Sequence, residues 1–235
     1  MAEDDGNAVG APVTPAAETD AVLARRAQLL ATEHRGLLAA RGTAQSEVLT
    51  RITIFLTLVS AGLVTIGLLG QATQFAGWFA GAALSILGFL LVVGVLTQAR
   101  VFNIADEDMM FVVAMNRLRG GYVDLDPAVA DYFLAATTDD MAGMQRTYSF
   151  LRPRGDASQV LGGSAFLIAL VNACVLGLLA GSIATAAAAP LWVSIPVGVL
   201  AGLALLGASV AIGYRSYRAA WDAYAPRRRT SPVRK

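Results

Sequence analysis

Two long stretches of the chain carry no charged residue. One lies between Arg51 and Arg100, the other between Asp156 and Arg215. Each is broken once by a turn-forming patch. In the first stretch the patch is Gln71, Ala72, Thr73 and Gln74. In the second it is alanine-rich and ends at Pro190, Leu191 and Trp192. The pieces on either side of the breaks, 52–69 and 75–96 and then two within 160–212, can each cross about 30 Å of hydrocarbon as helix. The pattern predicts four membrane-crossing helices arranged as two tight hairpins. Pro196 falls near the expected start of the fourth, where an amide partner is missing anyway. Trp78 and Trp192 sit beside the breaks, where interfacial aromatic residues are common.

The polar parts carry a different pattern. Residues 1–18 are Ala, Gly, Pro, Thr and acid and have nothing to pack, so a disordered tail is expected. Residues 19–50 read as an amphipathic helix. Leu23, Leu30, Leu37 and Ala44 fall seven apart, with Ala27 and Val48 at the matching second position of the repeat. A coiled-coil partner is one reading of that stripe; a helix lying on its neighbours or on the membrane surface is preferred. The middle, 99–158, begins as a continuation of the second membrane helix. Its apolar stripe of Val101, Ile104, Phe111, Met115 and Leu118 is interrupted at Asp108, and Gly120 with Gly121 is read as a C-cap. A turn at Asp126 and Pro127, a short helix near 128–136, and a further helix over 139–148 capped by Thr137 or Thr138 complete it. Arg152, Pro153, Arg154 and Gly155 read as an exposed basic turn before the third pass.

The fold class expected is therefore all-α: a polytopic membrane protein with four transmembrane helices as two hairpins and a helical cytoplasmic middle. The boundaries are a tail at 1–18, a cytoplasmic amphipathic helix at 19–50, hairpins at 51–98 and 159–213 around the middle at 99–158, and a basic tail at 214–235.

Composition agrees with lipid as the solvent. Of 235 residues, 56% are hydrophobic and 15% charged, too apolar for a soluble domain of this size. Net charge is +1, so no nucleic-acid partner is expected. Neither hairpin turn contains a Lys or Arg. The positive-inside rule puts the N-terminal segment, the middle and the C-terminal segment in the cytoplasm of a cell (inner) membrane protein, with both termini on that side. The first residues are acidic and no apolar core follows, so no cleavable signal peptide is expected and the first pass serves as an uncleaved signal. The single cysteine, Cys174, reads as a small buried hydrophobe.

Reactive chemistry is sparse. There is no phosphate loop with its lysine and no dinucleotide fingerprint. One histidine and one cysteine do not support zinc ligation or a Cys–His nucleophile pair. The acids Asp106, Glu107 and Asp108, and the pair Asp139 and Asp140, offer oxygens that suit Mg²⁺ or Ca²⁺. Their spacing matches no known loop, and Arg117, Arg119 and Arg146 are placed to pair with them. Ion pairing in a cytoplasmic interaction surface is the expectation, and no metal, cofactor or catalytic residue is assigned. Arg227, Arg228 and Arg229 are expected to touch anionic lipid headgroups.

Small residues recur every four positions in the spans: Gly77, Gly81 and Ser85; Ala173, Gly177 and Gly181; Gly198 and Gly202. Such spacing lets helix backbones approach, within one chain or between copies. Asn172 is the most polar residue deep in the third pass. Bonding a neighbouring helix, worth about 1 kcal/mol, is preferred for it over lining a pore.

The run Asn116, Arg117, Leu118 and Arg119, then Tyr122, Asp126 with Pro127, Asp131, Tyr132 and Phe133, and Asp139 with Asp140, resembles a family of uncharacterised actinobacterial four-pass membrane proteins. The resemblance covers roughly 46–148 and implies no reaction. The order of N-terminal helix, hairpin and cytoplasmic helix is also loosely similar to SLATT-type membrane effectors, a two-pass pattern that the second hairpin exceeds; that likeness implies pore formation. The expected function is a non-enzymatic, self-associating scaffold or accessory protein. Its expected partners are membrane lipids, copies of itself and a cytoplasmic protein. An oligomeric channel or pore is the alternative.

Overall fold

Among the described residues the charge-free stretches form helices broken by the turns at 74–78 and 187–190, and the helices run well past them. A computed structural model describes residues 15–149, 151 and 163–231; the expected disordered tail up to residue 14 and the basic turn at 152–155 lie outside the described residues. Helix α1 spans Pro15–Thr73 and α2 spans Phe79–Leu125. A short 3-10 helix, Pro127–Tyr132, and α3, Met141–Tyr148, follow. Then come α4, Ser164–Ala186, and α5, Leu191–Ala223. Among the described residues there is no strand. Helices α1, α2, α4 and α5 are each long and apolar enough to cross a membrane.

The expected amphipathic helix and first pass are one continuous helix of 59 residues, ~88 Å long. Its start at Pro15 takes in the last residues assigned to the tail. Helix α2 lies antiparallel to it. Contacts run from Leu30 against Gly121, through Arg41 with Asp108 and Glu47 with Arg100, to Gly62 against Ile86 and Leu90. The later part of the seven-spaced stripe of α1 is spent on this pairing: Leu37, Ala44 and Val48 pack into clusters with α2, while Leu23 is exposed. The turn between the helices places Gln74, Phe75 and Gly77 in left-handed conformation, with φ 53°, 57° and 61°. Glycine suits the last of these, having no Cβ to clash.

Helices α4 and α5 are packed through their small residues. A Cβ at Gly198 would stand 2.5 Å from the Gly177 carbonyl, and one at Gly202 would stand 2.7 Å from that of Ala173. Gly181 faces Ser194 in the same antiparallel register. Helix α4 also packs along α2, so α2 lies between α1 and α4. Pro196 is the sixth residue of α5, past the first turn where its absent N–H would cost nothing. Cys174 is exposed on α4 rather than buried, because Ala173 and Val175 take the inward positions.

The charged ends of α1, α2 and α5 meet at one end of the bundle, with the 3-10 helix and α3, as a polar cap. Its core is Met109, Val112, Val113, Met115 and Met144, with Tyr217, Trp221 and Tyr224 packed against it. Helix α2 does not stop at Gly120 and Gly121. Those glycines serve close approach: a Cβ at Gly120 would stand 2.7 Å from the Thr137 carbonyl and 3.0 Å from the Arg228 guanidinium. The helix expected near 128–136 is the shorter 3-10 turn, begun by Asp126 accepting from the Ala128 N–H at 2.9 Å.

Candidate functional site

The cap is held by carboxylates that reach across from one helix to another. Asp108, the break in the apolar stripe of α2, receives four bonds. Arg41 donates from Nε at 2.6 Å and from Nη2 at 3.2 Å, Gln45 at 2.9 Å, and the Tyr148 hydroxyl at 2.6 Å. Burial pushes the Asp108 carboxyl up, but these donors outweigh it and hold it below its ordinary value. Burial and the bond to Asp108 raise the Tyr148 hydroxyl. Next along the seam, Arg100 bridges Glu47 and Glu107, at 3.1 Å and 3.2 Å. Asp106 accepts from Ser216 of α5 at 2.6 Å.

Asp139 organises the second cluster and is fully buried. Its Oδ2 accepts from Arg117 Nε at 2.7 Å, the Tyr224 hydroxyl at 2.7 Å and the Arg227 N–H at 3.0 Å; its Oδ1 accepts from the Arg228 N–H at 2.6 Å. Burial alone would raise the Asp139 carboxyl. The bonds from Tyr224, the two tail amides and Arg117 reverse this and hold it at about 2. Burial and the same carboxylate push Tyr224 up to about 12. Asp140 is the N-cap of α3, accepting from the Gly143 N–H at 2.9 Å. It also accepts from Thr230, from its N–H at 2.7 Å and its hydroxyl at 2.8 Å. The cap expected from Thr137 or Thr138 is therefore supplied by Asp140, while Thr138 turns to the Thr230 hydroxyl at 2.9 Å. Arg228 completes the latch, reaching the Gly120 carbonyl at 2.8 Å and Asp124.

The structure thus brings Arg117 to Asp139 but leaves Arg119 and Arg146 away from the acids. Arg119 donates to Asn116 Oδ1 at 2.7 Å, and Arg146 is exposed on α3. Arg228 is folded into the chain, whereas Arg227 and Arg229 keep exposed side chains. Among the described residues no three His, Cys, Asp or Glu side chains gather as a metal site would require. Between α1, α2 and α5 lies a cavity of about 500 Å³ lined by Leu37, Met109, Met110, Val113 and Trp221, with Glu33 at its edge.

Inside the spans, Asn172 is fully buried and donates to Gln98 Oε1 at 2.8 Å. Gln98 donates onward to Ser209 at 2.7 Å, joining α2, α4 and α5. The Asn172 Oδ1 has no hydrogen-bond partner and lies against the Gly94 backbone, where no Cβ fits. A Cα–H···O contact suits that geometry. Gly77 and Gly81 have nothing within 4 Å of a built Cβ, and Ser85 is exposed and bonds its own helix at Gly81. That stripe is left open.

Sequence reasoning did not single out Arg41, Glu47 or Arg100, nor Tyr148, Tyr224, Gln98 and Ser209. The first three were within reach, since a hairpin centred near residue 74 places 47 opposite 100 and 41 opposite 108. Compared with known proteins, the chain matches no family model, no curated sequence and no solved structure.

Proposed function

We propose that the chain is a non-enzymatic integral membrane scaffold or accessory protein that associates with itself through its spans and presents its cap to a cytoplasmic partner. The observation that carries this reading is how the acids are used. Asp106, Asp108, Asp139 and Asp140 each tie one segment to another, Glu107 pairs with Arg100 of its own helix, and they are not left converging on an empty site. A rigid cap on membrane anchors suits a holder of partners better than a site of reaction. The gathering of all three charged segments at one end supports two membrane-crossing hairpins with both termini on the cytoplasmic side, where the arginines belong. Tyr132, Leu134 and Leu151 stand exposed on the cap and offer apolar anchors for a protein partner.

Self-association is drawn to the open stripe. The small residues of α4 and α5 are consumed against each other, which leaves Gly81 and Ser85 on α2 for a second copy; Gly77, expected in the same stripe, lies in the preceding turn with φ 61°. The interior polar groups Asn172, Gln98 and Ser209 bond to one another across α2, α4 and α5, which favours scaffold over pore. Mass measurement in mild detergent tests the reading. The wild type is expected as a dimer or larger, and Gly81→Val is expected to shift it to monomer with the fold intact. A wild type that is monomeric at every concentration would contradict it.

A further inference from the structure

The arginine run does not hang free. Arg227, Arg228 and Arg229 are followed at once by Thr230 and Ser231, and the segment 224–231 runs back over the cap without helix or strand. Two carboxylates strap it down. Asp139 takes the N–H groups of Arg227 and Arg228, at 3.0 Å and 2.6 Å. Asp140 takes the Thr230 N–H at 2.7 Å and the Thr230 hydroxyl at 2.8 Å, and that hydroxyl lies 2.9 Å from the Thr138 hydroxyl. Thr230 is the last anchor of the strap among the described residues, and it is exposed. The Arg228 guanidinium is spent on Asp124 and the Gly120 carbonyl. Those of Arg227 and Arg229 stand exposed and have no partner among the described residues.

An exposed, non-helical strap with arginines three, two and one positions before a hydroxyl carries a charge pattern that protein kinases read with carboxylates of their own. We propose that Thr230 is a phosphorylation site for an arginine-directed serine/threonine kinase, and that the phosphate opens the strap. The hydroxyl oxygen of Thr230 bonds to the γ-phosphorus of a nucleoside triphosphate as the bond from that phosphorus to its bridging oxygen breaks. The nucleoside diphosphate leaves with the electron pair, and the hydroxyl proton passes to the kinase's catalytic carboxylate. Phosphothreonine has lost the proton that Thr230 donates to Asp140. It sets a charge of about −1.5 to −2 against that carboxylate, and the like charges repel. Pairing of the phosphate with Arg227 or Arg229 stays within the strap and adds nothing that holds it to the cap. Ser231 has arginines at the same spacing but no bond to the cap among the described residues, so a phosphate there leaves both carboxylates engaged. The place also favours a soluble enzyme over lipid headgroups. Arg228 sits at Gly120, about twenty residues beyond Arg100 on one continuous helix, ~30 Å along the axis. In a cell the step needs nucleotide on the side of the cap, so it rests on the cytoplasmic placement proposed above.

The test uses the full chain in detergent, where orientation in a membrane plays no part, so its failure is separate from a failure of that placement. The chain is incubated with the purified catalytic domain of an arginine-directed kinase and adenosine triphosphate. Intact mass is expected to show a single added phosphate, and fragmentation to place it on Thr230. The closed strap holds the acceptor hydroxyl. Asp140→Asn keeps a side-chain oxygen for the Gly143 N–H but leaves none for the Thr230 N–H, and is expected to be phosphorylated several-fold faster. Hydrogen exchange of the Arg227 and Arg228 amides is expected to rise about tenfold or more on phosphorylation. It is expected to rise less in Thr230→Ala, which loses the hydroxyl bonds without gaining charge. No phosphate on either the wild type or Asp140→Asn, phosphate on Ser231 in place of Thr230, or a phosphorylated chain whose Arg227 and Arg228 amides exchange no faster than those of Thr230→Ala would each overturn the proposal.

Discussion

At the scale of single residues, Asp139 is the side chain on which most of the cap converges. One buried carboxylate satisfies an arginine, a tyrosine and two backbone amides of the tail. Removing the buried carboxylate leaves the Tyr224 hydroxyl and two tail amides without their acceptor, so Asp139→Ala should cost about 3 kcal/mol. Chemical denaturation measures that loss. Hydrogen exchange should show the amides of Arg227 and Arg228 losing protection in the same variant. The pH dependence has a definite sign. The carboxyl is held at about 2 in the folded chain, against ~3.9 when unfolded. Its contribution, on the order of 2 kcal/mol, is therefore full above about pH 4 and lost as pH falls towards 2. The stability gap between wild type and Asp139→Asn should close over that window. Little of this was legible in the sequence. Asp139 beside Asp140 looks like a helix-start signal, and Asp140 is one, but nothing local to Asp139 shows that a segment nearly ninety residues later comes back to it.

At the scale of elements, backbone approach decides which contacts tolerate change. Gly198→Val would drive a branched side chain into the Gly177 carbonyl, 2.5 Å from the first added carbon. Overpacking of this kind costs about 1–3 kcal/mol. Thermal unfolding in detergent should show a clear drop, while Gly81→Val, with nothing within 4 Å, should leave the melt of the single chain unchanged. The elements themselves were largely legible. Charge-free stretches of the right length gave the four long helices, and four-residue spacing marked the face that joins α4 to α5. One misreading has a clear cause. Gly120 with Gly121 looks like helix punctuation, yet both lie inside α2. Local propensity is a weak prior where a neighbouring backbone or side chain fills the space that glycine leaves, as the Thr137 carbonyl and Leu30 do here.

At the scale of the whole molecule, the account rests on a partition between lipid and water. Four helices are long and apolar enough to cross a membrane, and three charged segments, far apart in sequence, assemble one cap. The sequence showed the partition through its missing charges. The cap's internal wiring was out of reach, because it depends on which faces of α1, α2 and α5 meet. Labelling with a membrane-impermeant maleimide tests the arrangement most directly. In a Cys174→Ser background, single cysteines replace Gln71 or Ala187 near the two turns, and Ala130 or Ala225 in the cap; all four positions are exposed. On intact cells the account predicts labelling of the turn positions alone, with the cap positions reacting only after lysis. Labelling of Ala130→Cys or Ala225→Cys on intact cells, or turn positions that stay silent until lysis, would contradict it.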